Sequence, residues 1–147
     1  KFVEKRAESI RIGDILQISS EDEFPCDLVL LSSSNPSATC YITTVNFDGE
    51  TNLKLRYCVP STCKWVDPGQ FGCLACTIEC DLPNHDLYKF NGKLSVSDSS
   101  SLVHDTSLSI DNFLLRGAQL RNTEYIIGIA VYTGPETKLA LNQQKRR

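Results

Sequence analysis

The residues best placed to do chemistry lie in Asn46-Phe47-Asp48-Gly49-Glu50-Thr51-Asn52-Leu53, a polar stretch between two strand-like runs. Gly49 lets the backbone turn tightly or approach another surface closely. Glu50 is then expected at a loop tip, with its carboxylate free to reach outward as a hydrogen-bonding group or proton acceptor. Asp48, Thr51 and Asn52 carry short polar side chains of the kind that bond their own backbone. The same composition also makes an ordinary solvated turn, because Asp, Gly, Thr and Asn are common turn residues. Composition alone leaves both readings open.

The cysteines are a second reactive set. There are seven: Cys26, Cys40, Cys58, Cys63, Cys73, Cys76 and Cys80. Cys73-x-x-Cys76, with Cys80 and the more distant Cys58 and Cys63, could supply thiolates to zinc or a cluster in a metal-binding or redox module. Only one Cys-x-x-Cys pair exists, and a second is missing. The odd count argues against a disulfide framework, as do the apolar surroundings and the Pro that spoils Asn35-Pro36-Ser37 as a glycosylation site. Reduced thiols filling a core are the simpler account. His85 and His104 have no partners at ligand spacing and are expected at the surface.

The elements that must position these residues are mostly strands. Ile15 to Ile18, Asp27 to Leu31, Thr39 to Asn46, Leu53 to Val59, Cys73 to Cys80, Phe113 to Leu120 and Glu124 to Thr133 are apolar or β-branched runs of strand length. Leu53, Leu55 and Tyr57 alternate with Lys54 and Arg56, the mark of a half-buried strand. Asn91-Gly92, inside Leu87 to Val96, is a hairpin signal. Arg121-Asn122-Thr123 is a turn. Ser97 to Ser109, rich in Ser and Asp, is expected to be a mobile surface loop. Thr133-Gly134-Pro135-Glu136 has capping-box spacing and opens a helix from about residue 134 that leaves at the carboxyl end. The expected fold is mainly β, a distorted jelly-roll or β-sandwich-like domain covering residues 1–147.

Composition narrows the function classes. The chain has 147 residues, is 41% hydrophobic and 22% charged, and can bury a core without staples. A formal charge of -3 leaves no basic excess for binding nucleic acid, since only Lys145-Arg146-Arg147 forms a basic run. The apolar stretch Tyr125 to Tyr132 is too short to span a bilayer as a helix. Lys1 stands where a starting Met would be, so a piece of a longer chain is expected.

Asp48-Gly49-Glu50-Thr51-Asn52-Leu53-Lys54 resembles the Asp-Gly-Glu-Thr loop of phospholipid flippases, a variant of the Thr-Gly-Glu loop of other P-type ATPases. Ile12-Gly13-Asp14-Ile15 and Phe24-Pro25-Cys26-Asp27-Leu28-Val29-Leu30-Leu31-Ser32-Ser33 precede it in that family's order. Asn112-Phe113-Leu114-Leu115-Arg116-Gly117 and Tyr132-Thr133-Gly134-Pro135-Glu136-Thr137-Lys138 follow it. The resemblance covers nearly the whole chain, least securely Lys64 to Leu82 and Ser97 to Asp111. Phe47 departs from it, standing where many relatives carry Leu.

What the resemblance implies is an actuator domain, a cytosolic part of a multi-pass membrane protein. Its Glu50 would act as base and water positioner in hydrolysis of an aspartyl phosphate held on a separate phosphorylation domain, with Asp48, Gly49, Thr51 and Asn52 in support. The domain itself would hold no cofactor or metal, whereas ATP and Mg2+ would serve the full-length parent. Implied partners are the phosphorylation and nucleotide-binding domains and transmembrane helices of the same chain, a phospholipid substrate and an accessory membrane subunit, but no nucleic acid. No Asp-Lys-Thr-Gly and no Walker-type loop occurs in the sequence, so this stretch is expected to lack ATPase activity by itself.

Overall fold

The computed structural model describes residues 9–63, 75–97 and 103–145. Ten strands and two α-helices follow in the order β1 (Ile15–Ser19), β2 (Asp27–Ser33), β3 (Thr39–Thr43), α1 (Val45–Asp48), β4 (Lys54–Tyr57), β5 (Ala75–Cys80), β6 (Gly92–Ser97), β7 (Val103–Leu108), β8 (Phe113–Leu114), β9 (Gln119–Arg121), β10 (Tyr125–Tyr132) and α2 (Lys138–Lys145). They form a four-stranded sheet in the order β1-β10-β2-β8 and two three-stranded sheets, β4-β3-β9 and β5-β6-β7. All the pairings are antiparallel. The fold is therefore mainly β and β-sandwich-like, with a carboxyl-terminal helix.

The core follows from the apolar runs. Every residue of β2 is buried, as are Ile126 to Tyr132 of β10 beside it. Strands buried on both faces read as continuous hydrophobic stretches, and Leu28-Val29-Leu30-Leu31 and Ile126-Ile127 are such stretches. Leu28 and Leu30 share one core cluster with Cys40 and Ile42 of β3, Leu94 and Val96 of β6, and Phe113 and Leu114 of β8. Phe90 stacks on Phe113 at 4.4 Å between centroids, and Tyr132 meets both rings edge-on or tilted.

Several expectations are corrected. Residues 103–108, expected to be a mobile loop, form β7, paired with β6 along its whole length. Its polar residues are those of an edge strand, where Asp105 and Ser107 face water while Leu108 is buried. Residues 98–102 of that stretch lie outside the described residues. Asn91-Gly92 is not the turn of a hairpin, since β5 and β6 are joined by the 81–91 loop. Gly92 instead starts β6, where an added Cβ would meet the Glu79 carbonyl oxygen at 2.8 Å. Phe113 to Leu120 is two strands in two sheets, separated at Gly117 with φ +91°. The run from Thr39 leaves the strand at Thr43 and turns into α1.

On β4 the apolar side chains are not the ones that face the core. Arg56 pairs with buried Cys40 and Lys54 with buried Ile42, so the two basic residues line the core side. Leu53 and Tyr57 are exposed at 38% and 47%. Arg56 resolves this by covering the core with its stem while its guanidinium donates to the carbonyls of Phe113 and Leu55.

The exit helix also begins differently. Gly134–Glu136 is a 3-10 turn, and Thr133 makes no capping bond. Thr137 takes that role, its Oγ1 accepting the N–H of Ala140 at the first turn of α2. Among the described residues no helix is long and apolar enough to cross a membrane.

Candidate functional site

The Glu50 loop is built by α1 and the glycine that ends it. Thr44 accepts the backbone N–H groups of Phe47 and Asp48, and Gly49 closes the turn by donating to Val45. Gly49 sits at φ +74°, a left-handed conformation that favours glycine. A Cβ there would meet nothing within 4 Å among the described residues, so the backbone angle selects the residue. The chain then leads into Glu50, Thr51 and Asn52, all exposed, before β4.

Asp48 organises this loop. Its Oδ1 accepts the backbone N–H of Glu50 at 2.9 Å, fixing the direction in which Glu50 leaves the turn. Thr44 Oγ1, on a buried residue, lies 2.9 Å from both carboxylate oxygens. The Tyr88 hydroxyl donates to Oδ2 at 3.2 Å. Desolvation opposes the charge on Asp48, but the bonds from Glu50, Thr44 and Tyr88 and the nearby Lys54 together hold its carboxyl below the usual range. Asp48 therefore ties down its own backbone as expected. Thr51 and Asn52 do not, since neither side chain makes a hydrogen bond among the described residues, and both face water.

Next to this loop is a cleft of about 720 Å³, lined by α1 residues Phe47 and Asp48, by His85 to Tyr88, and by Leu139 and Asn142 of α2. Phe47, half-buried, and Leu139 converge on Gly117, whose added Cβ would lie 2.9 Å from Leu139 Cδ2 and 3.5 Å from Phe47 Cδ2. Phe47 is thus accommodated by a glycine beneath it. His85 is exposed.

Beneath the cleft a buried polar cluster ties the strands to α2. Asp27 accepts the backbone N–H of Arg116 at 2.8 Å and of Lys138 at 2.7 Å. Burial pushes the Asp27 carboxyl up to about 6, against the pull of those two bonds and of the Lys138 and Arg116 charges. Lys138 is fully buried, its Nζ donating to Asn84 Oδ1 at 2.7 Å and lying 5.8 Å from the Phe113 and Tyr132 ring centres. Its burial lowers its pKa, opposed by Asp27, Asp86 and Asp81.

The cysteines do not assemble into a metal centre among the described residues, where no group of three or more potential ligands converges. Cys76 and Cys80 both pack against the core from β5, and four residues along a strand separate them by about 13 Å, too far to share an ion. Cys73 lies outside the described residues. Burial pushes the Cys26, Cys40 and Cys58 thiols up to about 12, which disfavours the thiolate that binds metals.

Sequence reasoning singled out Glu50 and Asp48 but missed the residues that brace them. Asp27 had a readable signal, a carboxylate heading an unbroken apolar run, which must be partnered once buried. Tyr88 and Lys138 had none, because their partners are distant in sequence, whereas Thr44 stands only four residues before Asp48.

No family model matches the chain. It is similar to human phospholipid-transporting ATPase IG, 46% identical over 144 residues, which is 98% of this chain and 13% of that protein. It is also similar to human phospholipid-transporting ATPase IH, 44% identical over 99% of this chain and 13% of that protein. Phospholipid-transporting ATPase DRS2 of Saccharomyces cerevisiae is 43% identical over 96% of this chain and 10% of its own length. The chain thus spans about an eighth or less of the relatives it matches.

Proposed function

We propose that this chain, similar over nearly all of its length to phospholipid-transporting ATPases, is the actuator domain of such an ATPase. In this reading Glu50 promotes hydrolysis of an aspartyl phosphate carried on a separate phosphorylation domain of the parent. The observation that carries it is the exposed Glu50 whose backbone N–H is held by Asp48 just after the left-handed Gly49. An exposed carboxylate presented in this way, on a fixed backbone, is suited to act on something outside the domain.

The chemistry asked of Glu50 is modest. Water attacks phosphorus in line, the bond between phosphorus and the aspartyl oxygen breaks, and the aspartate leaves as carboxylate. Glu50 accepts a hydrogen bond from that water, orients it and takes up its proton. Gly49 presents no side chain to the incoming partner. Asp48 keeps Glu50 aimed, while the exposed Thr51 and Asn52 are free to meet the phosphorylation domain.

ATP and Mg2+ serve the parent at its other domains, where the aspartyl phosphate is made. α2 would carry the motion of the domain to transmembrane helices, coupling hydrolysis to phospholipid movement between leaflets. The test is the full-length parent carrying Glu50→Gln, which should form phosphoenzyme but release phosphate slowly. Ordinary release would end this reading. The 147-residue chain alone should show no ATP hydrolysis above blank, and measurable turnover would mean that nucleotide and aspartate sites lie within it.

A further inference from the structure

We propose that Tyr88 is a positioning residue for Glu50, acting through Asp48 from a loop braced on the carboxyl-terminal helix. This rests on the role given to Glu50 above. Asp48 uses Oδ1 to hold the Glu50 N–H, while Oδ2 receives the Tyr88 hydroxyl. Buried Thr44, directly after β3, holds the base of the turn, and Glu50 lies at its outer end. Tyr88, 40 residues away, adds a second anchor and is the donor that ties the carboxylate to the 81–91 loop.

The loop that carries Tyr88 is anchored along its length. Tyr132 donates its hydroxyl to the Asp81 carbonyl, and Asp81 accepts the Asn91 N–H, closing the loop's two ends. Phe90 is buried and stacked on Phe113. Asn84 receives Lys138 Nζ, and the His85 carbonyl receives Asn142 Nδ2 at 3.0 Å, so two residues of α2 hold the loop from one side. Internally, Asn84 Oδ1 accepts the Asp86 N–H and Asp86 Oδ1 accepts the Tyr88 N–H, both at 3.1 Å. Each link in the series from α2 through Asn84, Asp86, Tyr88 and Asp48 to the Glu50 backbone is a hydrogen bond.

Tyr88 itself is 56% exposed, and its hydroxyl reaches the Asp48 carboxylate. An exposed tyrosine on a surface loop would ordinarily give that hydroxyl to water. Here the locked backbone delivers it to the carboxylate that aims Glu50. The loop thereby makes the direction of Glu50 depend on the position of α2.

The experiment uses the full-length parent and follows phosphoenzyme decay after a chase with unlabelled ATP. It compares Tyr88→Phe, Tyr88→Ala, Asp48→Asn and the Asp48→Asn/Tyr88→Phe double variant, with Glu50→Gln as reference. Loss of one orienting hydrogen bond should make Tyr88→Phe decay about three- to tenfold more slowly. Tyr88→Ala should be no slower than Tyr88→Phe, and the double variant no slower than Asp48→Asn alone. A purely structural tyrosine would instead make Ala much worse than Phe and would add its effect to that of Asp48→Asn. The proposal is overturned if Glu50→Gln stalls decay while Tyr88→Phe decays normally, or if the two effects are additive. Normal decay in Glu50→Gln would instead remove the premise, and the proposal with it.

Discussion

Lys138 gives its backbone N–H to Oδ2 of Asp27 at 2.7 Å across 111 residues of sequence, joining the first residue of β2 to the first residue of α2. The second Asp27 oxygen takes the Arg116 N–H, so one buried carboxylate satisfies backbone donors from the turn after β8 and from the helix start. Helix N-termini leave such donors without partners, and a carboxylate there also suits the helix dipole. One buried side chain thus links β2, the turn after β8 and the start of the helix.

That side chain makes stability depend on pH in a stated direction. The folded Asp27 carboxyl is raised to about 6, whereas in an unfolded chain it titrates near 4. Between these values the folded state keeps a proton that the unfolded state has released. The contribution is present in full below about pH 4 and is lost as pH rises through about 6. Asp27→Asn cannot titrate and leaves one backbone N–H without its acceptor, at a cost of about 1–3 kcal/mol. Urea unfolding of the 147-residue chain should show the advantage of wild type over Asp27→Asn shrinking by up to about 3 kcal/mol from pH 4 to pH 7. A constant difference would contradict this.

Gly117 should not tolerate a side chain. Its φ of +91° lies where other residues are strained, and the added Cβ would be driven onto Leu139 of α2. Gly117→Ala is expected to cost about 1–3 kcal/mol in urea unfolding, combining backbone strain with displacement of the helix. Gly49→Ala, at φ +74° but with open space around it, should suffer only the backbone part.

The thiols should behave as core residues. With their pKa values pushed up to about 12, Cys26, Cys40 and Cys58 hold only about one thiolate in ten thousand at pH 8. Alkylation of the folded chain should reach half-exposed Cys63, Cys76 and Cys80 and spare Cys26, Cys40 and Cys58 until urea unfolds the protein. Chain purified without chelator should carry no stoichiometric zinc. Bound zinc released together with thiol labelling would restore the metal-site reading.

Much of this architecture could be read from the residues, and the failures have physical causes. β1, β2 and β10 announce themselves because apolar content and strand length agree there. β7 was hidden because an edge strand needs only one inward face, and Ser and Asp can occupy the other. The buried face of β4 is not legible, because alternation shows that two faces differ, not which one is buried. Arg56 covers the core with its stem, and Tyr57 stays outside. At the site, Gly49 and Asp48 were legible because their bonds are local. Tyr88 reaches Asp48 from 40 residues away, and nothing in the spacing of either residue predicts that meeting.

The most direct measurement is the lifetime of the phosphoenzyme in the full-length parent carrying Glu50→Gln, followed after a chase with unlabelled ATP. The amide cannot take a proton from the attacking water, and general base catalysis contributes about a hundredfold or more. The account predicts normal phosphoenzyme formation followed by decay slowed by about that factor. Decay at the wild-type rate would contradict it and return the Asp48-Gly49-Glu50-Thr51 loop to the status of a solvated turn.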